Sequence, residues 1–330
     1  MLDKKVRVGI IGCGGISRKH ISDFLAHPEA EIAALVDTSD ESMSKTLERF
    51  PDLARTPTFK DYREMLNGVG LDAVEINTPH TLHYPQAMDS FDRGLHALIE
   101  KPMVCSVAHA KDLIAKAKQK KLVLQVAYQR HFAPPFLYMK DQIQSGAIGE
   151  INYIAAVQCQ NWRKGTGGTW RQKPELSGGG QLNDSGSHLL DIVMWVTGLS
   201  VSEVAAFIDN RGTPVDINSA VSVVFTNGAR GTLSVIGDAP VGFLEDIHFV
   251  GSQGVIRYSN GKVAQTGGDG KLQEQTELPE ASSMAGNFID AIFGRDEVRS
   301  PGECGLSVIE LTEAAWKSAE TGMPCAVERT

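Results

Sequence analysis

The sequence has few cysteines, few aromatic residues and no long hydrophobic run. Its five cysteines among 330 residues are scattered and form no CxxC pair, which argues against a disulfide framework and a zinc site. No apolar segment approaches the roughly 18–20 residues that a membrane helix needs. The apolar run at residues 6–11 is also too short for a signal peptide. We therefore expect a cytoplasmic protein with reduced thiols, no bound metal and no membrane partner.

The composition that remains is that of a globular protein. Hydrophobic residues make up 42% and charged residues 22% of the chain, enough apolar material for two cores. The net charge is −8, and without a basic block this argues against a nucleic-acid partner. The length favours two domains.

Residues 1–127 alternate short apolar runs with helical periodicity. The apolar runs at 6–11, 32–36, 73–76, 97–99 and 122–126 are typical of parallel strands that are covered on both faces. Helical patterns lie between them at 16–26, 41–50, 84–93 and 107–120. This alternation predicts an α/β domain with a doubly wound parallel sheet, a Rossmann domain.

Residues 128–330 show a different pattern. A helix at 133–145, a strand at 150–160 and an apolar helix at 185–196 precede alternating strands at 201–209, 219–226, 231–237, 246–251 and 254–258. Asn227-Gly228 is a strong hairpin signal between two of these strands. We therefore expect an α+β domain built on an open antiparallel sheet. Two closing helices at 283–293 and 303–319 pack either wholly on this domain or partly on the first.

A glycine turn opens the first predicted helix. Gly12 suits a tight turn, Gly14 allows close approach of a pyrophosphate, and Ser17 occupies the third position of the G-x-G-x-x-G fingerprint. Asp37 ends the second predicted strand, where a carboxylate accepts hydrogen bonds from ribose hydroxyls and repels a 2′-phosphate. We expect NAD to be preferred over NADP. The alternative is a glycine turn that binds nothing.

Three further segments carry polar residues where ligands bind in such folds. Asn77 to His83 and Glu100-Lys101-Pro102 each follow a predicted strand of the parallel sheet. A third segment, residues 178–191, contains Asp184, His188 and Asp191 near the start of a helix. Taken alone, His83 is more typical of a structural histidine and Glu100 of a surface charge. We assign no role to His20, His27, His96, His109 and His248.

Together these motifs resemble the glucose–fructose oxidoreductase and inositol dehydrogenase family. The motifs are the 12–17 turn, Thr78-Pro79-x-x-x-His83, Glu100-Lys101-Pro102, Tyr128-Gln129-Arg130 and the 179–191 stretch. The resemblance implies a Rossmann domain followed by an α+β domain whose open sheet builds a homodimer or homotetramer. It also implies that Lys101 reaches the reacting hydroxyl and that Asp184 and His188 lie opposite the nicotinamide. It does not determine which sugar or cyclitol is used.

The chemistry of alcohol oxidation agrees with these roles. Removal of hydride from carbon requires loss of the hydroxyl proton, and a cation near the oxygen favours the developing alkoxide. Lys101 supplies such a charge, and His188 is a base with a suitable ordinary pKa. Asp184, four residues before His188, would share its helix face and position it or a second substrate hydroxyl. Alternatively, Lys101 itself accepts the proton, or these residues have only structural roles.

A loop rich in glycine, tryptophan and arginine precedes the third segment. Tryptophan faces stack on sugar rings and arginines donate paired hydrogen bonds. We expect Trp162, Arg163 and Trp170 to shape the substrate pocket. The alternative is that the tryptophans anchor the loop to the core.

The resulting hypothesis is an oxidoreductase that transfers a hydride between a secondary hydroxyl of a sugar, inositol or related polyol and NAD. Its rivals are an NAD-dependent glycoside hydrolase and a non-catalytic regulator that binds NAD and a sugar. The expected cofactor-binding residues are Gly12, Gly14, Gly15, Ile16, Asp37, Thr38, Asn77, Thr78, Pro79, His80, His83, Glu100, Lys101 and Gln129. The expected substrate-binding residues are Lys101, Tyr128, Arg130, Trp162, Arg163, Trp170, Asp184 and His188.

Overall fold

The computed structural model describes residues 5–328, which divide into two compact units. Unit 1 contains the described residues up to Val104, together with Ala108–Ala127 and Ser282–Gly305. Unit 2 contains Cys105–Val107, Tyr128–Ala281 and the described residues from Leu306 onward. The sequence-based division into 1–127 and 128–330 therefore needs a correction, because residues 282–305 return to the first unit.

The described chain contains strands and helices in alternation, followed by a run of strands. The strands are β1 (Val6–Ile11), β2 (Ala30–Val36), β3 (Thr58–Phe59), β4 (Ala73–Ile76), β5 (His96–Ile99), β6 (Leu124–Val126), β7 (Ile151–Gln160), β8 (Val201–Asp209), β9 (Asn218–Phe225), β10 (Arg230–Ile236), β11 (Phe243–Gly251), β12 (Val255–Ser259), β13 (Lys262–Thr266), β14 (Leu272–Gln275) and β15 (Cys325–Ala326). The helices are α1 (Ser17–Leu25), α2 (Asp40–Arg49), α3 (Tyr62–Gly68), α4 (His83–Asp92), α5 (Val107–Lys120), α6 (Pro134–Gln144), α7 (Trp162–Gly165), α8 (Pro174–Ser177), α9 (Ser187–Thr197), α10 (Met284–Ile292) and α11 (Gly302–Thr321).

Unit 1 is a Rossmann fold. Its six strands are all parallel in the order β3-β2-β1-β4-β5-β6. Every residue of β4 is buried, as expected for a sheet covered on both faces. The strand order reverses between β1 and β4, and ligands bind at the carboxyl ends of strands at such a switch point.

The segment that returns to unit 1 packs on its first helix and last strand. The ring of Phe288 in α10 meets Phe24 of α1 edge to face, with centroids 6.4 Å apart. The Ser300 hydroxyl donates to the carbonyl of Val126 at 2.6 Å. This segment therefore completes the core of unit 1 from a distant part of the chain.

Unit 2 is built on a nine-stranded sheet in the order β14-β13-β12-β11-β7-β10-β9-β8-β15. All neighbouring pairs are antiparallel except β7 and β10, which run parallel. The expected antiparallel sheet is confirmed, with one parallel pair, because a long connection rather than a hairpin joins β7 to β10. The predicted turn at Asn227-Gly228 is confirmed, since it joins β9 to β10.

One face of this sheet is buried and the other is exposed. Alternate residues of β9 and β10 are buried, as a sheet with one covered face requires. The exposed residues include Phe207 of β8, whose exposed fraction is 83%.

Candidate active site

The glycine turn of unit 1 has the backbone geometry that a dinucleotide site needs. Gly12 has φ +93°, and a Cβ there would lie 2.8 Å from the carbonyl oxygen of Asn77. A Cβ on Gly14 would meet no atom within 4 Å. Gly12 is therefore required by the fold, whereas Gly14 leaves space beside the turn.

The Asp37 carboxylate is fixed beside this turn. Its Oδ2 accepts from the backbone N–H of Cys13 at 2.7 Å, and its Oδ1 accepts from that of Ser39 at 2.7 Å. Thr38 is exposed, and its carbonyl accepts from Lys60 Nζ at 3.3 Å. The two backbone hydrogen bonds hold a negative charge at the carboxyl end of β2, and each carboxylate oxygen has capacity for another donor.

The loop after β4 places an unpaired carboxamide near the turn. Asn77 Oδ1 and Nδ2 are buried and have no hydrogen-bond partner within the described residues. His80 is almost completely buried, at 4% exposure. The ring of His83 lies between the carbonyl oxygens of Thr78 and Pro102, at 2.8 and 2.9 Å.

His83 thus ties the two ligand-binding loops together. Its side chain is fully buried, and its expected contact with the cofactor stays a prediction. Burial lowers the pKa of its imidazole, and the hydrogen bonds to the carbonyl oxygens of Thr78 and Pro102 act in the opposite direction.

Glu100 is buried rather than exposed, so its interpretation as a surface charge is wrong. One of its carboxylate oxygens accepts from the backbone N–H of Lys101 at 3.0 Å, and the other lies 3.5 Å from Nε2 of His20. Burial raises the pKa of this carboxyl. The lysine itself is half-buried directly after β5.

These features of unit 1 fit a dinucleotide. The space at Gly14 accepts a close-lying pyrophosphate, and the backbone N–H groups at the start of α1 favour its negative charge. Asp37 offers ribose acceptors, and Asn77 offers both donor and acceptor atoms without a partner among the described residues.

In unit 2, a buried aspartate organises the glycine-rich turn that begins at residue 178. The Asp216 carboxylate accepts from the N–H groups of Gly180 and Leu182, at 2.8 and 2.7 Å, and from Trp316 Nε1 at 3.1 Å. A Cβ on Gly180 would lie 2.0 Å from the carbonyl oxygen of Asp216, and one on Gly179 would lie 2.5 Å from the Trp316 ring. Both glycines are therefore required by close packing.

Asp184 lies at the end of this turn with its carboxylate held by two donors. Trp162 Nε1 donates to Oδ2 at 2.9 Å, and Arg171 Nε donates to the same atom at 3.1 Å. Asp184 is 5% exposed. Because α9 begins only at Ser187, Asp184 precedes the helix, and the expected helical spacing to His188 does not apply.

Trp162 does not present an open face for a sugar ring. The residue is 5% exposed and packs with Val215 and Ile217. The alternative interpretation, a tryptophan that anchors the loop, is the one that the structure supports. The expectation that Trp162 shapes the substrate pocket stays a prediction, and its indole N–H donates to the Asp184 carboxylate.

His188 is half-buried at the start of α9 and is supported by two residues of the Tyr128-Gln129-Arg130 motif. The Tyr128 ring meets it edge to face with centroids 6.3 Å apart. Arg130 donates to the carbonyl of His188 at 3.4 Å and pairs with the buried Glu245 at 2.8 Å. Tyr128 is fully buried and packs against the histidine, and its expected contact with substrate stays a prediction. Gln129 is exposed.

The remaining predicted pocket residues, Arg163 and Trp170, each contact a charged side chain. Arg163 is exposed and pairs with Asp238 at 3.3 Å. The Trp170 ring lies under the guanidinium of Arg171, 4.5 Å from its centroid. In α9, Asp191 accepts from His131 at 2.8 Å, and His131 stacks on Trp195. Asp191 is therefore part of the helix packing.

Comparison with known families decides the classification. The model described as "Oxidoreductase family, NAD-binding Rossmann fold" matches residues 6–128. The model described as "GFO/IDH/MocA C-terminal domain" matches residues 136–257. The chain belongs to the GFO/IDH/MocA family. The first of these models describes an oxidoreductase family with an NAD-binding Rossmann fold.

Relatives within the GFO/IDH/MocA family are distant in sequence and close in fold. The chain is 23% identical to the uncharacterized oxidoreductase YrbE of Bacillus subtilis, covering 100% of this chain and 98% of the relative. It is 28% identical to the D-glucoside 3-dehydrogenase of Escherichia coli, over 60% of this chain and 56% of that enzyme. A structure of levoglucosan dehydrogenase with NADH and levoglucosan matches with TM-score 0.89 and 21% identity, covering 99% and 100% of the two chains.

Three residues that position the site escaped the sequence analysis. Arg171 is one of two arginines in the loop before residue 178, and its sequence position does not distinguish it from Arg163. Asp216 lies in the loop between β8 and β9, and no sequence motif marks it. Glu245 lies in β11, where its partner Arg130 is 115 positions away. For Glu245, the sequence signal is a charged residue at a position that the alternating strand pattern assigns to the buried face. Within residues 5–328, none of the helices combines the length and hydropathy needed to span a bilayer.

Proposed function

We propose that this protein oxidises a secondary hydroxyl of a sugar, an inositol or a related polyol. The observation that carries the proposal is the fixed carboxylate of Asp184. Trp162 and Arg171 both donate to its Oδ2, and the residue lies shortly before α9, the helix that contains His188. Such a fixed carboxylate suits a group that orients a substrate hydroxyl or a base. The NAD-binding fold of the family supplies the matching redox partner.

In the proposed reaction, the chemistry that NAD would supply when bound is acceptance of the hydride that leaves the substrate carbon. The Lys101 ammonium stabilises the negative charge that develops on the substrate oxygen. His188 accepts the hydroxyl proton, and Asp184 orients the substrate. The packing of Tyr128 on the imidazole and the bond from Arg130 to its carbonyl support a fixed orientation of this base. The alternative acceptor for the proton is Lys101.

NAD is the proposed cofactor in preference to NADP. The Asp37 carboxylate is fixed by two backbone N–H groups, so its charge stays where the 2′-phosphate of NADP would have to lie. The nearby Lys60 amine is paired with Asp40 at 2.5 Å, which reduces its ability to balance a phosphate.

The test is a substrate screen followed by mutagenesis. The protein is incubated with NAD or NADP and a panel of sugars, glycosides and inositols, and the absorbance of the reduced cofactor is followed. We expect sustained NADH formation with at least one polyol and a slower reaction with NADP. Release of an aglycone without NADH would establish a glycoside hydrolase instead, and binding without turnover would establish a regulator.

The acid–base assignment is tested on the substrate found in this way. His188→Gln should lower kcat about 100-fold or more and remove the acidic limb of the pH–rate profile, while the Kd for NADH stays within about 3-fold, a change of less than 1 kcal/mol. His248→Gln, a substitution in β11, is the matched control. If His188→Gln retains the wild-type rate and profile while Lys101→Ala is inactive, the lysine is the proton acceptor.

A further inference from the structure

A buried charged cluster of His20, Glu75 and Glu100 lies beneath the Glu-Lys-Pro loop in unit 1. Their exposed fractions are 4%, 0% and 7%. Nδ1 of His20 contacts Glu75 Oε1 in a short ion pair, and Nε2 lies 3.5 Å from Glu100 Oε1. The three residues come from α1, β4 and the end of β5.

The geometry favours a protonated imidazole at His20. A neutral imidazole has one N–H and one lone pair, whereas the imidazolium has two N–H donors. Because each ring nitrogen faces a carboxylate oxygen, a neutral ring would turn a lone pair toward a negative charge. Burial opposes the imidazolium, but the charge and hydrogen bond of Glu75, and then Glu100 and Asp23, raise the pKa of His20 to about 9.

Glu75 is a fully buried charged residue in an otherwise apolar strand. It lies in the middle of β4, where the neighbouring residues Ala73, Val74 and Ile76 are buried and apolar. A buried ion pair is weak evidence for stability, because desolvation of both charges offsets their attraction. A carboxylate at this position therefore suggests a role other than stabilising the core.

The cluster reaches the backbone of Lys101 through Glu100. Glu100 Oε1 faces His20, while its Oε2 accepts from the N–H of Lys101 at 3.0 Å. The N–H of Glu100 in turn donates to the carbonyl of Ile76 in the strand that carries Glu75. The groups facing Glu100 are thus His20, Glu75 and Lys101.

We propose that Glu75 and His20 are positioning residues for Lys101: the imidazolium holds the Glu100 carboxylate, which fixes the backbone of the lysine. This inference rests on the proposed function, because it assigns Lys101 to the reacting hydroxyl. It also connects the lysine to α1, the helix that follows the glycine turn.

The proposal has a defined pH dependence. The pKa of His20 is raised in the folded protein, so its contribution to stability is fully present below its ordinary value near 6.5 and is lost as pH rises through about 9. The arrangement of Lys101 should be lost over the same range. Glu75→Gln keeps an acceptor for Nδ1 but removes the charge, so it should move this transition to lower pH.

The experiment uses the full chain without cofactor and substrate. The His20 ring and the Lys101 backbone amide are followed by NMR between pH 6 and pH 10, and the His20 signal is identified by its loss in His20→Gln. We expect the ring to titrate well above pH 7 and the amide of Lys101 to shift with it. In Glu75→Gln both transitions should move down by about one pH unit or more. His96→Gln, at the opposite end of β5, should leave both transitions unchanged.

The kinetic readout is the alkaline limb of the pH–kcat profile. In Glu75→Gln this limb should move to lower pH, with kcat lowered about 10-fold at pH 8 and the KM for substrate little changed. The proposal is overturned if wild-type His20 titrates near pH 6.5, or if the Lys101 amide does not follow it. A shifted His20 with an unchanged kcat profile also overturns it. If no polyol is oxidised, the proposed function fails, and the wild-type NMR titration still decides whether the cluster positions Lys101.

Discussion

At the scale of single residues, one carboxylate holds the turn that leads to the candidate catalytic segment. Asp216 accepts three hydrogen bonds, from two backbone N–H groups and from Trp316, and is almost fully buried. Each donor would lose its partner if this side chain were removed. Buried polar groups without partners cost about 1–3 kcal/mol each.

We expect Asp216→Ala to lower the free energy of unfolding of unit 2 by about 3 kcal/mol, because the donors lose their acceptor while the surrounding structure relaxes in part. Asp216→Asn should have an intermediate effect. Urea denaturation followed by circular dichroism measures the change. Asp246→Ala, which removes a partly exposed pair with Arg257, serves as the control and should cost less than about 1 kcal/mol. Equal effects of the two alanine variants would contradict the anchoring role.

At the scale of an element, two glycines of the turn at residues 12–17 are explained by different physical requirements, one of backbone conformation and one of free space. Gly12 has a positive φ and no space for a Cβ, so the fold itself requires it. Gly14 has space for a Cβ, so its small size is useful only to a ligand. The fold therefore requires Gly12, and we propose that Gly14 serves cofactor binding.

Gly14→Ala should fold normally and bind NADH at least about 10-fold more weakly, because the methyl group occupies the space of the pyrophosphate. Gly12→Ala should lose about 1–3 kcal/mol of stability as well. Thermal denaturation and NADH fluorescence titration measure the two effects. Gly68→Ala at the end of α3, where a Cβ also meets no atom within 4 Å, is the matched control. Undiminished NADH affinity in Gly14→Ala would place the cofactor elsewhere.

At the scale of the whole molecule, the exposed face of the nine-stranded sheet is the candidate surface for self-association. Phe207 of β8 is 83% exposed, although phenylalanine is a large apolar residue. Exposed apolar groups on a wide sheet are typical of interaction surfaces. Together with the family resemblance, this supports a homodimer or homotetramer formed through the sheet.

Sedimentation equilibrium should therefore give a dimer or tetramer for the wild-type protein and a smaller species for Phe207→Asp, since a charge opposes burial of this face. Met323→Asp changes another exposed apolar residue, 65% exposed and outside the strands of the sheet, and should leave the mass unchanged. A wild-type monomer, or an unchanged mass for Phe207→Asp, would rule out this interface.

Much of the fold was predictable because its elements carry strong local patterns. The apolar runs of β1, β4 and β5 and the Asn227-Gly228 hairpin were located correctly. The strand β3 has only two residues, which is too short to show an alternating pattern, and it was not predicted. The helix α3 that follows it was also not predicted. The parallel pairing of β7 with β10 joins strands about 75 positions apart and leaves no local sign.

The sequence by itself determined the Rossmann domain, the family resemblance and the segments that bear Lys101, Asp184 and His188, because turns, strand ends and helix starts depend on neighbouring residues. Only the tertiary structure decided which distant side chains form hydrogen bonds and ion pairs with those segments. The indole of Trp162 binds Asp184 across 22 positions, and Glu75 meets His20 across 55. Such contacts are set by the packing of distant strands and helices, which local patterns do not specify.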